Sequence, residues 1–318
     1  MTNTIKLGFF GTPEISAYVL QELFNAGFNI SWVITQPDRK SGRGLKVTPP
    51  PVKTKAQELG IKVFQSEKFD REIFNKVSSE TVNLSVVVAY GSYIPSYFIN
   101  SSDLPPLNIH TSFLPKYRGA APAARAIMNG ENTTGVTIMK LAKQMDTGDI
   151  VVQKEIEISQ EDDSSSLTWK LIKEGTELLI SVIPLYLVGK LDVVEQRQTN
   201  IMPSCAEKIT AEDKKIDWSK SAKEIHNKVR ALYPWPVAEA RINNTDIKII
   251  KTGWSSCESI GKPGNIIDVS RKENKIAVST CDGVLLIEKV QPFGKREMTI
   301  SEFINGYKIE KGMRFENV

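Results

Sequence analysis

Three residues in this chain have the types and the setting for chemistry at a carbonyl carbon: Asn108, His110 and Asp146. His110 is one of only two histidines, and it lies with Asn108 in LNIHTSFLP (107–115), an apolar run that turns polar at Thr111 and Ser112. Two positions apart on a strand, the Asn108 and His110 side chains leave by the same face. An amide N–H can stabilise an oxygen that gains negative charge, and an imidazole can take or return a proton near neutral pH. Asp146 sits in MDTGD (145–149), and a carboxylate beside an imidazole orients the ring and stabilises its charged form. Taken singly, the same residues also fit blander roles: a structural histidine, an asparagine that ends a strand, and a common turn.

Groups of this kind need rigid elements to hold them. The run from Leu107 to Thr111 reads as a strand that delivers its polar end at the carboxyl edge of a sheet, where open α/β sheets bind ligands. TGVTIMKLA (134–142), rich in β-branched residues, reads as a strand leading into the Gly148 turn. Upstream, the apolar run Ile5–Phe10 ends at Gly11 and is followed by Ile15, Val19, Leu20 and Leu23 at helical spacing, a strand–turn–helix opening of a doubly wound domain. Gly8 and Gly11 lack the third glycine of a dinucleotide fingerprint, which disfavours a nicotinamide oxidoreductase. Further strands are expected at Ile30–Thr35, Lys62–Phe64, Leu84–Ala89 and Ile150–Ile158, with a long helix over Ser164–Gly189 capped by Asp163 or Ser164.

The polar stretch 190–208 loses helical periodicity and reads as a linker. Beyond it come a helix near Ala222–Leu232, the break YPWP (233–236), and short strands at Val237–Ile242, Ile247–Lys251, Ile276–Ser279 and Val284–Val290, which predict a small β-barrel. The fold class is therefore α/β: a doubly wound, Rossmann-like N-terminal domain over 1–189 and a smaller C-terminal β-barrel domain over 209–318.

A chain of 318 residues exceeds one compact core, in keeping with two domains. No apolar run is long enough to span a membrane and the start MTNTIKLGFF lacks signal-peptide features, so the expected location is the cytoplasm. Cys205, Cys257 and Cys281 are scattered, and HExxH and CxxC are missing, so no metal is expected. The net charge of +4 lies wholly in residues 209–318, which hold 19 basic and 15 acidic side chains. A second basic feature is local. Gln36–Lys55 carries Arg39, Arg43 and four lysines against the single acid Asp38, with no core periodicity, and reads as a long loop. Such a loop either grips a phosphate backbone or is simply solvated.

NIHTSFLPKYRGAAP (108–122), followed by TGVTIM and MDTGD, resembles the folate-dependent formyltransferases, whose catalytic trio is Asn, His and Asp. FFGTPEIS from Phe9, TQPDRKSGRG from Thr35, VVVAYGSYIP from Val86 and YPWP from Tyr233 extend the resemblance, in order, over nearly the whole chain. The resemblance implies catalytic roles for Asn108, His110 and Asp146, and 10-formyltetrahydrofolate as formyl donor. It places that folate against Tyr90, Gly91, Ser112, Phe113, Leu114 and Pro115. Within the family the GRG insertion marks members that formylate initiator methionyl-tRNA, which implies that Arg43, with Arg39, Lys40 and Lys46, contacts the tRNA. It also implies an oligonucleotide-binding-like second domain, and a monomer is expected. The alternative is a formyltransferase for an amino sugar nucleotide or another small amine, whose members lack the insertion. One departure stands out: Ala142 and Lys143 occupy a flank where relatives often have an acid, although the DTG turn itself is intact.

Overall fold

The structure, a computed structural model, describes residues 5–42, 44, 46–258 and 261–317. The chain forms two compact units, one of residues up to 119 with 135–156 and 169–205, the other of 120–134, 157–168 and 206 onward.

The first unit is built on a seven-stranded sheet. Its strands are β1 (Lys6–Gly11), β2 (Asn29–Thr35), then, after a hairpin of β3 (Arg39–Ser41) and β4 (Lys46–Thr48), β5 (Val63–Gln65), β6 (Leu84–Val88), β7 (Leu107–His110), β8 (Thr133–Lys140) and β9 (Ile150–Glu157). The spatial order is β9-β8-β7-β6-β1-β2-β5. β5, β2, β1, β6 and β7 run parallel, while β8 runs antiparallel to β7. Apolar residues on both faces of the central strands account for this: Leu7, Phe9, Phe10, Val86 and Val88 are fully buried, as a sheet covered on each side requires. The order reverses between β1 and β6, so a crevice opens at their carboxyl ends. There the Thr12 hydroxyl donates to the Tyr90 carbonyl at 2.8 Å.

The helices are α1 (Glu14–Asn25), α2 (Pro51–Glu58), α3 (Arg71–Ser78) and the long α4 (Ser164–Leu187). Gly175 of α4 lets that helix lie directly on the sheet: a Cβ there would stand 2.7 Å from Val136 Cγ2 and 2.8 Å from Ile109 Cγ2. Asp163 caps α4, accepting from the Ser165 and Ser166 amides at 2.8 Å each. α3 was not expected, because its eight residues fully bury only Ile73 and Val77, with Phe74 packed partly exposed beside them; the sequence signal is its cap, Asp70, which accepts from Ile73 N at 3.0 Å.

Two expectations are corrected. The basic stretch Gln36–Lys55 is not one loop. It contains the β3–β4 hairpin, and α2 starts at Pro51, where the ring's fixed φ suits the first helical turn. Nor is 190–208 a free linker. Val194 and Ile150 exchange backbone hydrogen bonds of 2.9 and 2.8 Å, and Gln196 is buried.

The second unit packs α5 (Ala222–Leu232) and α6 (Ile300–Tyr307) against strands β10 (Ala238–Ile242), β11 (Thr245–Ser255), β12 (Ile266–Ser270), β13 (Lys275–Ser279) and β14 (Val284–Pro292). These form an antiparallel sheet of order β10-β11-β14-β13-β12. Its two edges are joined by the C-terminal tail, not by each other: Ile266 N donates to Met313 O, Phe315 N to Gly264 O, and Glu316 N to Arg241 O, each at 2.8 Å. The tail closes the barrel and removes two open strand edges. Trp218 stacks on Phe315 beneath it, ring centroids 5.1 Å apart.

In the same unit Arg125 grips Asp213 with two nearly parallel bonds of 2.7 and 2.9 Å. This guanidinium, assisted by the Thr210 amide and hydroxyl, holds the Asp213 carboxyl down to about 2 against the opposing effect of burial. A depressed carboxyl stabilises the fold above its unfolded value and loses that contribution as pH falls through about 2. Its size is on the order of 2 kcal/mol. Arg125→Met is therefore expected to lower urea-unfolding stability at pH 7, with the gap to wild type narrowing as pH drops below about 4.

Candidate active site

His110 ends β7 with its ring 6 % exposed. Its Nε2 lies 3.0 Å from the Tyr117 carbonyl oxygen. A carbonyl only accepts, so Nε2 carries a hydrogen and Nδ1 is the ring atom left to gain or lose a proton. Nδ1 faces Asp146 Oδ1 at 3.7 Å. That separation is beyond a direct hydrogen bond but within the range of a strong charge–charge contact. The other carboxylate oxygen, Oδ2, accepts the Gly119 amide at 2.8 Å. Residues 36 positions apart in the sequence thus meet at one sheet edge.

The Asp146 turn is tight and left-handed, with φ of 54°. Asp tolerates this region better than most residues. Two positions on, Gly148 passes so close to β8 that any side chain is excluded, since its Cβ would stand 1.8 Å from Lys140 O. Gln196 spans the turn from outside, donating from Nε2 to the carbonyls of Asp146 (2.9 Å) and Gly148 (2.7 Å).

Asn108 pairs through its backbone with Val87 and Met139, in register with the end of β6. Its side chain is half-buried, and among the described residues its carboxamide has no hydrogen-bond partner. An amide donor without a protein partner therefore lies two residues along β7 from an imidazole whose Nδ1 faces a carboxylate, at the carboxyl end of that strand. This donor set suits an acyl group whose oxygen gains charge while a nitrogen nearby loses a proton.

The residues expected against folate divide by exposure. Ser112 and Leu114 are fully buried: the Ser112 hydroxyl donates to Lys116 O at 2.6 Å, and Leu114 packs with Met139 and Ile150. Pro115 is buried as well. Tyr90 is 2 % exposed, its ring edge-on to Phe10, and burial together with the charge of Asp70 pushes its hydroxyl up to about 12. In this conformation the side chains of these four expose little or no surface. Phe113 is partly exposed and Gly91 is exposed. On the basic hairpin Arg39, Lys40 and Lys46 are all solvent-exposed; Arg43 lies outside the described residues. The hairpin is tethered at its base by Asp38, which binds Lys53 and Gln65 at 2.8 and 2.7 Å.

Sequence reasoning did not find the Tyr117 carbonyl, the Gly119 amide or Gln196. The first two are backbone atoms, which no side-chain pattern reports. Gln196 shares its polar run with the amides of Gln198 and Asn200, and nothing in the sequence singles it out.

Comparison with known proteins fits this geometry. The family described as Formyl transferase matches residues 5–183, and its C-terminal domain matches residues 208–308. The chain belongs to the formyl transferase family. Within it, the chain is 41 % identical over 314 residues to the methionyl-tRNA formyltransferase of Sulfurihydrogenibium sp. (strain YO3AOP1), covering 98 % of this chain and 100 % of that protein. The methionyl-tRNA formyltransferase of Dictyoglomus thermophilum is 39 % identical over 316 residues, again covering 98 % and 100 %. Among solved formyl transferases, WlaRD, a sugar 3N-formyl transferase crystallised in the presence of dTDP and 5-N-formyl-THF, superposes with a TM-score of 0.66 at 25 % identity, covering 92 % of this chain and all of that one. Among the described residues no helix is long and apolar enough to cross a membrane.

Proposed function

We propose that this chain transfers the formyl group of 10-formyltetrahydrofolate to the α-amino group of methionyl initiator tRNA. The observation that carries the reading is the His110–Asp146 contact beside an unpartnered Asn108 amide, in a chain that aligns end to end with methionyl-tRNA formyltransferases. The folate supplies an activated formyl carbon. An α-amine with a pKa of about 8 is partly neutral near pH 7, so the nucleophile needs little activation. Asn108 donates its amide N–H to the formyl oxygen as charge gathers there. His110 holds a proton at Nδ1 and stabilises the same charge. Asp146 keeps the ring correctly turned, and moves the amine's proton through water toward the departing nitrogen. Catalysis belongs to residues 1–189, and 209–318 add the surface with the +4 excess for RNA. The chain works as a cytoplasmic monomer, which sedimentation at micromolar concentration checks.

The likeness to a sugar formyl transferase supports the alternative of a small amine substrate. The exposed cationic hairpin favours tRNA, since each phosphate contact releases counterions that a sugar nucleotide does not hold in such number. Incubation with 10-formyltetrahydrofolate and either charged initiator tRNA or an amino sugar nucleotide separates the two. Formylation of the sugar alone rejects our reading.

A graded result is expected from the hairpin. Lys40→Ala and Lys46→Ala should each raise KM for the tRNA several-fold, leave kcat nearly unchanged, and reduce the slope of log Kd against log salt by about 1. Binding measured between 50 and 300 mM salt checks this.

A further inference from the structure

We propose that Gln196, anchored by Arg118, is the positioning residue that fixes Asp146 toward His110; this rests on the reading of Asp146 as the catalytic carboxylate. The Gln196 side chain is 4 % exposed, and its carboxamide is fully used. Nε2 donates to the Asp146 and Gly148 carbonyls, and Oε1 accepts from Arg118 Nε at 2.9 Å and Nη2 at 2.6 Å. The amide has a single possible orientation, because a guanidinium only donates and a carbonyl only accepts. Two of the four contacts of this planar group hold both ends of the left-handed turn that carries Asp146, and the other two fix the group to Arg118.

The anchor is itself fixed. Val194 is bonded to Ile150 at the start of β9, and the Thr199 hydroxyl donates to Gln196 O at 2.8 Å. Arg118 lies in a three-residue strip whose members each serve one part of the site. Tyr117 presents its carbonyl to His110, Arg118 holds Gln196, and Gly119 gives its amide to Asp146. Ser204 secures the strip, accepting Tyr117 N on its hydroxyl and Arg118 N on its carbonyl, each at 2.9 Å. Imidazole and carboxylate are therefore positioned from one backbone segment, and Gln196 locks that segment to the turn. A buried amide and a half-buried guanidinium placed here serve geometry, because their bonds go to each other and to the carbonyls of the turn.

Gln196→Glu is the test. The variant keeps the side-chain shape and the bond to Arg118, but puts a second carboxylate oxygen against two carbonyl oxygens. It is expected to lower kcat roughly 10- to 100-fold, as displaced supporting contacts do. KM for tRNA and folate should move less than about threefold, the pH profile of kcat should shift, and thermal unfolding should stay cooperative. In an Asp146→Asn background the same change should cost no more than about twofold in single-turnover formylation, because the group it positions has gone. Arg118→Gln, which leaves the Gln196 donors in place without their anchor, should show the same pattern if Gln196→Glu fails to fold. Wild-type kcat in a folded Gln196→Glu protein, or an undiminished loss in the Asp146→Asn background, overturns the proposal. Near-normal turnover of Asp146→Asn alone would instead reject the role of Asp146.

Discussion

Asp146→Asn is expected to reduce kcat about 10³- to 10⁴-fold, the scale seen when a carboxylate that orients a catalytic imidazole loses its charge. The substitution is nearly silent sterically. Asn Oδ1 can still accept the Gly119 amide that Oδ2 accepts at 2.8 Å, so the turn keeps that tether. What changes is the atom facing Nδ1 across 3.7 Å. A carboxylate there favours the protonated ring, whereas an amide offers no net charge and can present an N–H that Nδ1 meets only when neutral. The proton intended for the developing oxyanion is then lost from the ring. Because Nε2 is committed to Tyr117 O at 3.0 Å, the other nitrogen cannot substitute. Affinity for tRNA should be unaffected, since the carboxylate is buried and its role is local. Single-turnover formylation with saturating tRNA and folate, alongside filter binding of the tRNA, measures both. A turnover within about fivefold of wild type would remove Asp146 from the mechanism.

How much of this site could be read in advance depends on whether the information sits in side chains or in the backbone. β7 was legible because an apolar run turning polar at Thr111 and Ser112 is a strand reaching a sheet edge, and the observed strand ends one residue earlier, at His110. The doubly wound class followed from the glycine that ends β1 and from the valine-rich run of β6. The supports were not legible. A carbonyl at residue 117 and an amide at 119 carry no sequence signature, and one glutamine among the polar residues of 190–208 is indistinguishable from a solvated one until its burial is known. Ser112, Leu114 and Tyr90 show the limit from the other side, since they belong to the motif yet their side chains are buried. Motif membership marks a residue as part of the site's architecture, but burial decides whether its side chain can touch a ligand. Four of the five barrel strands were visible as short apolar runs, whereas β12 at Ile266–Ser270 was not expected. Its closure was not, because the C-terminal tail joins the two edges through backbone bonds at Met313, Phe315 and Glu316.

Gly148→Ala is the expected case of largest structural effect, and it separates a clash from a dihedral penalty. Many glycines of this chain have positive φ with open space around them, where an added methyl costs only the left-handed strain of roughly 1–2 kcal/mol. Gly148 is different: its Cβ would meet Lys140 O at 1.8 Å and Lys140 C at 2.8 Å. Those atoms cannot retreat. Lys140 is paired with Leu107 of β7, and its amide donates to Asp149 O at 2.9 Å. The turn must move instead, carrying the Gly148 carbonyl away from Gln196 and the Asp146 carboxylate away from Nδ1. Overpacking a rigid site costs about 3 kcal/mol or more, and misplacing a catalytic group by about 1 Å costs around a hundredfold in rate. The variant should therefore lose both urea stability and kcat, whereas Asp146→Asn loses only the second. Gly148→Ala with wild-type stability would mean that the turn is not wedged against β8, and that the contact between residues 110 and 146 is set elsewhere.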